Sequence, residues 1–522
     1  IPPIKNLIQK LSECHEEEIP RIVESAIDWS YPRGDLFHWI GVLNRFDTML
    51  ENICKNYNLK KLQTSKFSEG ARVVLVAILK FSRVLLENCT NRNLYSSYEH
   101  LNDLLYTSDL DVLEVLLRLI LRPAQRLSNQ RALRTNFTIS PERILTLAHC
   151  WGTKEYDLEM ENLASDDVTI PEELTTLNYQ FYRHLTPSEA AETTVDKKSD
   201  TTTPTQSQKS QRKDSASSSG GTKAGEGVTL ISVNNVRQLG DTDMNILNHV
   251  VQEYNIPEEF HFALLNRIRI VTNISSTEAR RRLLIIRLLA VAIMGSFIHV
   301  PFVYDCYYKR SKLFLYEPDI VANLAKLVHP DRNIPFDIQT VALYALDGIS
   351  RYRSKLGEVL TAINASANHG ILLYVLRRVI ADLERDNPIY PQEYYDALFA
   401  LISYIITTQT GGTMVISAGI VPTLLQLLNN KNSHQLKNVT KAVGILDSLV
   451  YGFNTSFTSF CNANGVRVLV GRIKEEVDNG IRLAKEARDN QMEGITIANS
   501  SAPAGPSSEV GELISSVAIE ND

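Results

Sequence analysis

Four segments of the chain repeat one pattern at long intervals, and this repetition limits the possible folds more than any other feature. They are PDIVANLAKLV, HGILLYVLRRVI, AGIVPTLLQLL and NGVRVLVGRI, aligned on Ile320, Ile371, Ile420 and Val466. The anchors lie 51, 49 and 46 residues apart. A second apolar residue follows each anchor by four positions, at Leu324, Val375, Leu424 and Val470, which is one helical turn. Gly370, Gly419 and Gly465 stand directly before three of the anchors. The stretches IQTVALYALDGIS and YYDALFALISYII fill the intervals with further helical patterning. A period in the high forties with two or three helices per unit is armadillo or HEAT spacing, slightly stretched. One such unit cannot cover its own apolar faces, so neighbours must stack. The expected fold is all-α: an armadillo/HEAT-like α-solenoid with a long disordered insertion.

Composition supports helices. Twenty-four glycines and 19 prolines in 522 residues fall below the usual ~12%, too few turn residues for a chain built of strands. The net charge of −6 gives no basic excess for phosphate backbones, so nucleic acid is not expected as a partner. The six cysteines, Cys14, Cys54, Cys89, Cys150, Cys306 and Cys461, include no CxxC pair. That pattern suits neither a zinc site nor a disulfide framework, and fits reduced thiols in a cytoplasmic or nuclear protein. The most apolar run, Leu283 to Phe302, is interrupted by Arg287. A central arginine costs ~3 kcal/mol on insertion scales, so a buried solenoid helix is expected there rather than a membrane span. The chain opens on Ile1 with no visible signal peptide, and its native start is expected upstream.

Four regions are expected. Residues 1–185 form a first helical, armadillo-like block. Residues 186–227 form a Ser/Thr-rich insertion without Leu, Ile, Phe, Tyr or Trp, too poor in apolar groups to offset the entropy of ordering. Residues 228–499 form the repeat block, and 500–522 a flexible tail. In the first block, Val112, Leu113, Leu116, Leu117 and Ile120 mark a helix from Leu110 to Leu121, with Ser108 as its N-cap and Pro123 as its stop. Ala71 to Leu86 is apolar nearly all round, as in a helix covered on both sides.

Motifs for catalysis are missing: no GxxxxGK[ST], HExxH or GxSxG occurs. His149 beside Cys150 reads as a packed helix end, since adjacent helical side chains diverge by ~100°. His100 beside Glu99 meets the same objection. Arg280, Arg281 and Arg282 read as a solvated face. Phe37, Trp39 and Phe46 read as core. No catalytic, cofactor-binding or metal-ligating residue is assigned. One recurrence could bind protein: six positions past each anchor stand Lys326, Arg377, Gln426 and Arg472, and a cationic ladder would favour acidic peptide segments.

Three stretches of the first block, DLFHWIGVLNRFD, LYSSYEHLNDLL and LTLAHCWG, resemble the extreme N-terminal region of the giant HECT-type ubiquitin ligases, the Mule type and its fungal counterparts. In the second block EEFHFALLNRIRI and the array after it are similar to the same family, and LRPAQ favours a fungal member. The resemblance spans about Ile4 to Asp478. It implies a non-catalytic scaffold in the cytoplasm and nucleus, binding substrate proteins and other parts of its own long chain. The thioester-forming HECT module would lie elsewhere in the parent, and none of the six cysteines takes that role. No small molecule or membrane is implied as a partner. A free-standing armadillo adaptor or nuclear transport protein is the alternative. Against transport, Trp29, Trp39 and Trp151 all precede the repeats, whereas import receptors of that shape use tryptophan ladders within them.

Overall fold

A computed structural model describes residues 2–149, 177–184, 226–299 and 320–500, apart from the short stretches 30, 32–33, 58–66, 108, 129–130, 273–275, 365–369, 386 and 433–434. The insertion expected at 186–227 lies outside the described residues except for its last two positions, and so does the tail beyond 500.

The chain before the insertion forms α1 (Pro2–Glu13), α2 (Ile19–Ala26), α3 (Ile40–Tyr57), α4 (Glu69–Asn88), α5 (Tyr98–Leu104), α6 (Leu110–Ala124), α7 (Arg131–Asn136) and α8 (Pro141–His149). After it come α9 (Asp243–Tyr254), α10 (His261–Thr272) and α11 (Thr277–Met294). Three units of three helices follow. The first is α12 (Ile320–Val328), α13 (Phe336–Ser350) and α14 (Arg353–Asn364). The second is α15 (Ile371–Leu383), α16 (Gln392–Ile405) and α17 (Gln409–Ser417). The third is α18 (Ile420–Leu428), α19 (Leu436–Gly452) and α20 (Asn454–Asn462), after which α21 (Gly465–Ser500) opens a fourth. Each repeat anchor found in the sequence thus begins, or nearly begins, one helix of the array.

Local chemistry sets the helix starts. Ser68 caps α4 by accepting from the Ala71 N–H at 3.4 Å, and Ser276 caps α11 through the Ala279 N–H at 3.3 Å. For α6 the cap is Asp109, which accepts from the N–H groups of Asp111 and Val112 at 3.0 and 3.2 Å. This corrects the expectation of Ser108. Pro123 does not stop α6 either, because it sits in the last turn and the helix runs on to Ala124. Gly370 and Gly419 precede α15 and α18 with φ of 94°, a conformation open to glycine and strained for other residues. In the next unit Asn464 takes the positive φ instead, one position before Gly465.

Packing runs along a row: α4 on α6, α6 on α11, α11 on α13, α13 on α16, and α16 on α19. A second row sets α15 against α18 and α18 against α21, while α12 and α18 also pack on the helices that follow them, α13 and α19. Leu79, Leu116, Leu284, Val341, Leu398 and Ala442 are among the buried residues of the first row. Helix α11 is the run that contains Arg287, and it is buried over nearly its whole length. Arg287 itself is buried, and its Nε donates to the Ala148 carbonyl of α8 at 3.2 Å. Among the described residues no single helix is long and apolar enough to cross a membrane.

Two small β elements were not expected. β1 (Gly34–Asp35) pairs with β2 (Cys89–Thr90) in parallel, and β3 (Leu177–His184) pairs with β4 (Glu226–Val233) in antiparallel register, Leu177 opposite Val233 and His184 opposite Glu226. The hairpin follows from period-two patterning, with Leu177, Tyr179, Ile231 and Val233 buried. It rests on α10, and the Tyr179 hydroxyl donates to the Phe260 carbonyl just before that helix at 3.4 Å. The long insertion therefore leaves and re-enters the fold at one clamped point.

Candidate protein-interaction surface

The four positions singled out in the repeats occupy equivalent places on α12, α15, α18 and α21, yet they do not form an open cationic ladder. Arg377 donates through Nη2 to the Ala418 carbonyl at 3.2 Å, just before the start of α18. Arg472 is 6% exposed. Its guanidinium donates to the carbonyls of Leu428, at 3.4 Å, and Asn430, and pairs with Glu476. The cause is elementary: the last carbonyls of a helix lack partners within it, and their end carries partial negative charge. An arginine from the adjoining repeat satisfies them. Asn430 repeats the device one unit earlier, donating to the Leu383 carbonyl at 2.7 Å. Arg472 therefore stitches neighbouring units together, and Arg377 ties α15 to the turn between α17 and α18. Lys326 is half-buried in the last turn of α12.

Gln426 is placed differently. Its Nε2 donates to Glu384 Oε1 at 3.0 Å on the surface, and it lines an open cleft of about 410 Å³ between the ends of α15 and α18. Glu384, Arg385, Asn429, Asn430, Lys431 and Asn432 complete the lining with Leu383. Lys431 also pairs with Glu475 of α21 at 3.1 Å. The cleft offers both charges and several amides, which suits a polar polypeptide segment better than a purely acidic one.

Sequence reading missed the larger polar feature, a half-buried charge ribbon along the first row. Arg83 on α4 and Arg122 on α6 both reach Glu393 Oε1 of α16, at 2.9 and 2.6 Å, and both reach Glu87 Oε1, at 2.9 and 2.6 Å. Arg122 also donates to the Tyr344 hydroxyl of α13 at 3.1 Å. Arg118 pairs with Glu114 at 3.0 Å. Towards one end, Arg72 and Arg282 share Asp111. Towards the other, Asp396 of α16 pairs with Lys437, at 3.0 Å, and with Lys441 on α19. Burial opposes ionisation of Glu393, but Arg83, Arg122 and Arg118 outweigh it and hold its carboxyl below the ordinary range. Asp396 is likewise held low, burial being overcome chiefly by Lys441. Only the Arg83–Glu87 and Glu114–Arg118 spacings left a local signal; the cross-links join residues up to 310 positions apart.

Other expectations are corrected at the same level. The arginines 280–282 are no solvated face: Arg280 is buried, and Arg282 joins Asp111, Glu114 and Glu278. Trp39 and Phe46 are core, but Phe37 is 65% exposed. His100 faces Asp47 at 3.6 Å, and Cys150 lies outside the described residues. Among the described residues no three His, Cys, Asp or Glu side chains gather as a metal site would need.

Comparison with known proteins places the chain. Residues 70–381 match the family described as Domain of Unknown Function (DUF908), and residues 440–502 match Domain of Unknown Function (DUF913). The chain is similar to E3 ubiquitin-protein ligase ptr1 of Schizosaccharomyces pombe, with 28% identity over 468 residues, 89% of this chain and 13% of that protein. It is similar to E3 ubiquitin-protein ligase UPL1 of Arabidopsis thaliana, with 27% identity over 485 residues, 91% of this chain and 12% of that one. It is similar to E3 ubiquitin-protein ligase HUWE1 of Mus musculus, with 24% identity over 484 residues, 90% of this chain and 10% of that protein. The chain thus spans between a tenth and a seventh of the curated relatives it matches, and the resemblance drawn from its first-block motifs is borne out. This chain belongs to the DUF908 family, and some nine-tenths of it aligns with a part of the giant E3 ubiquitin-protein ligases.

Proposed function

We propose that the chain is a non-catalytic scaffold segment of a HECT-type E3 ubiquitin-protein ligase, acting in the cytoplasm and nucleus and holding client proteins for ubiquitin transfer performed elsewhere in the parent. One observation carries this reading: some nine-tenths of the chain aligns with E3 ubiquitin-protein ligases, and the aligned region folds as stacked helical repeats. Such arrays offer extended surfaces to other polypeptides. Of the four repeat positions, Gln426 is the one we assign to client binding, because it lines the polar cleft with Glu384, Arg385 and Lys431. Arg377 and Arg472 serve the stack. The test is ubiquitin transfer by the native-length protein with residues 1–500 deleted. Client ubiquitination should fall while ubiquitin loading onto the catalytic module persists. Thioester formation by the isolated 522-residue chain would overturn the reading. At finer grain, Gln426→Ala with Arg385→Ala should weaken client crosslinking and leave the melting temperature nearly unchanged.

A further inference from the structure

Exposed large apolar side chains are not spread evenly over the described residues. Of fourteen, nine lie between Leu436 and Leu483, and six of those are on α21: Val466, Val470, Ile473, Val477, Ile481 and Leu483. Five of the six, all but Leu483, follow one another at intervals of four, three, four and four. At ~100° per residue they form one stripe, centred roughly 135° round the helix from Arg472. Arg472 marks the seated side, which packs on α18 and α20. Arg467, Lys474 and Asp478 lie on a third, charged side. The helix therefore has a seat, a solvated face and an apolar stripe whose five side chains are each more than half exposed.

The repeat register says what the stripe is for. In the three preceding units the anchor and the residue four positions on are buried: Ile320 and Leu324, Ile371 and Val375, and Ile420 and Leu424, the last two at 0% exposure. Their counterparts on α21, Val466 and Val470, are each 59% exposed. In the first and third units the cover includes the next helix in sequence, α13 over α12 and α19 over α18. Helix α21 instead runs on for 36 residues, and no helix follows it among the described residues. The DUF913 match begins within α19 and covers α21, and the relatives are roughly eight to ten times longer than the region they share with this chain.

We infer that the Val466–Val470–Ile473–Val477–Ile481 stripe is an assembly face, covered in the native-length protein by an amphipathic helix of the same array that takes the place α13 holds on α12. The occupant is a segment of the parent chain, not a client and not a second copy. This inference rests on the family assignment and is independent of client binding at Gln426.

Thiol labelling tests it. Val470→Cys and Val477→Cys are placed one at a time in the 522-residue chain and in the native-length protein, with Lys474→Cys on the charged face as control. Maleimide modification at each site is followed by peptide mass spectrometry. In the chain alone all three sites should react quickly at every protein concentration. In the native-length protein the V470C and V477C sites should react about tenfold or more slowly, as a covered site opens only by local unfolding, while the K474C site is unchanged. Equal rates for all three sites in the native-length protein would overturn the inference. Protection of V470C in the chain alone would also overturn it: if it rises with concentration the occupant is a second copy, and if it is independent of concentration the occupant is the chain's own residues beyond 500.

Discussion

Single residues decide how the rows hold together. Arg122 joins three other helices at once, through Glu87, Glu393 and Tyr344. Removing one member of such a group leaves the others desolvated and unpaired. Arg122→Ala is expected to cost about 2–3 kcal/mol, below the ~3–5 of a fully buried pair because Glu393 keeps some contact with water. Chemical denaturation reads this directly. Glu393 adds a pH signature. Its folded carboxyl titrates below its ordinary value of 4.5. The stabilisation is therefore fully present above pH 4.5 and is lost as pH falls through the lower, folded value. The gap in melting temperature between the native chain and Glu393→Gln should be widest near neutrality and shrink as pH falls below 4.5; a gap of constant size would disprove the ion-pair account. None of this ribbon was legible in the sequence beyond two i,i+4 pairs, because its charges meet only when helices from opposite ends of the chain are stacked. The repeat register did place Arg377 and Arg472 correctly along their helices. It could not say that their partners would be backbone carbonyls where other helices of the array end.

At the scale of elements, the sequence was most informative where the chain punctuates itself. Gly419 was visible as a repeated residue, and its φ of 94° gives the reason. Gly419→Ala should cost about 1–2 kcal/mol, the penalty of a left-handed L-residue, even though a Cβ there would meet only Arg377 Nη2 at 3.6 Å. Gly444 is the internal control. It lies inside α19 with nothing within 4 Å of a Cβ, so Gly444→Ala should stabilise by about 0.5–1 kcal/mol. Thermal melts of the two variants should move in opposite directions. The β3–β4 hairpin was hidden because each strand is a short alternating run beside a long polar stretch, and composition outvoted alternation. Its register makes a prediction of its own. His184 and Glu226 are paired partners, so a four-residue Gly/Ser linker in place of residues 185–225 should raise the melting temperature, by about 2 kcal/mol of stability for a roughly tenfold shorter loop. Loop closure costs ~0.6 kcal/mol per doubling of length. A large drop would mean that the insertion contributes packing.

Over the whole molecule the two helical blocks read from the sequence meet at α11. That helix follows the insertion in the chain, but it packs on α6 and α8 from before it and on α13 from after it. Arg282 and Arg287 fasten the same junction, through Asp111 and Glu114 on α6 and the Ala148 carbonyl on α8. The row from α4 to α19 is accordingly continuous in space where the sequence is interrupted. In such an array each unit is stabilised by its own fold and by its immediate neighbours, so damage at one end should fade with distance along it. A fragment beginning at Val228 makes the point testable. It would keep α9 to α21 but strip α11 of its α6 and α8 partners. Hydrogen exchange should show α9, α10 and α11 losing protection while α16 and α19 keep theirs, and the fragment should bind more of an apolar dye than the whole chain does. Uniform loss along the array would mean that the molecule unfolds as one cooperative body. Unchanged protection of α11 would mean that the second block needs nothing from the first, and the junction described here would then contribute no stability.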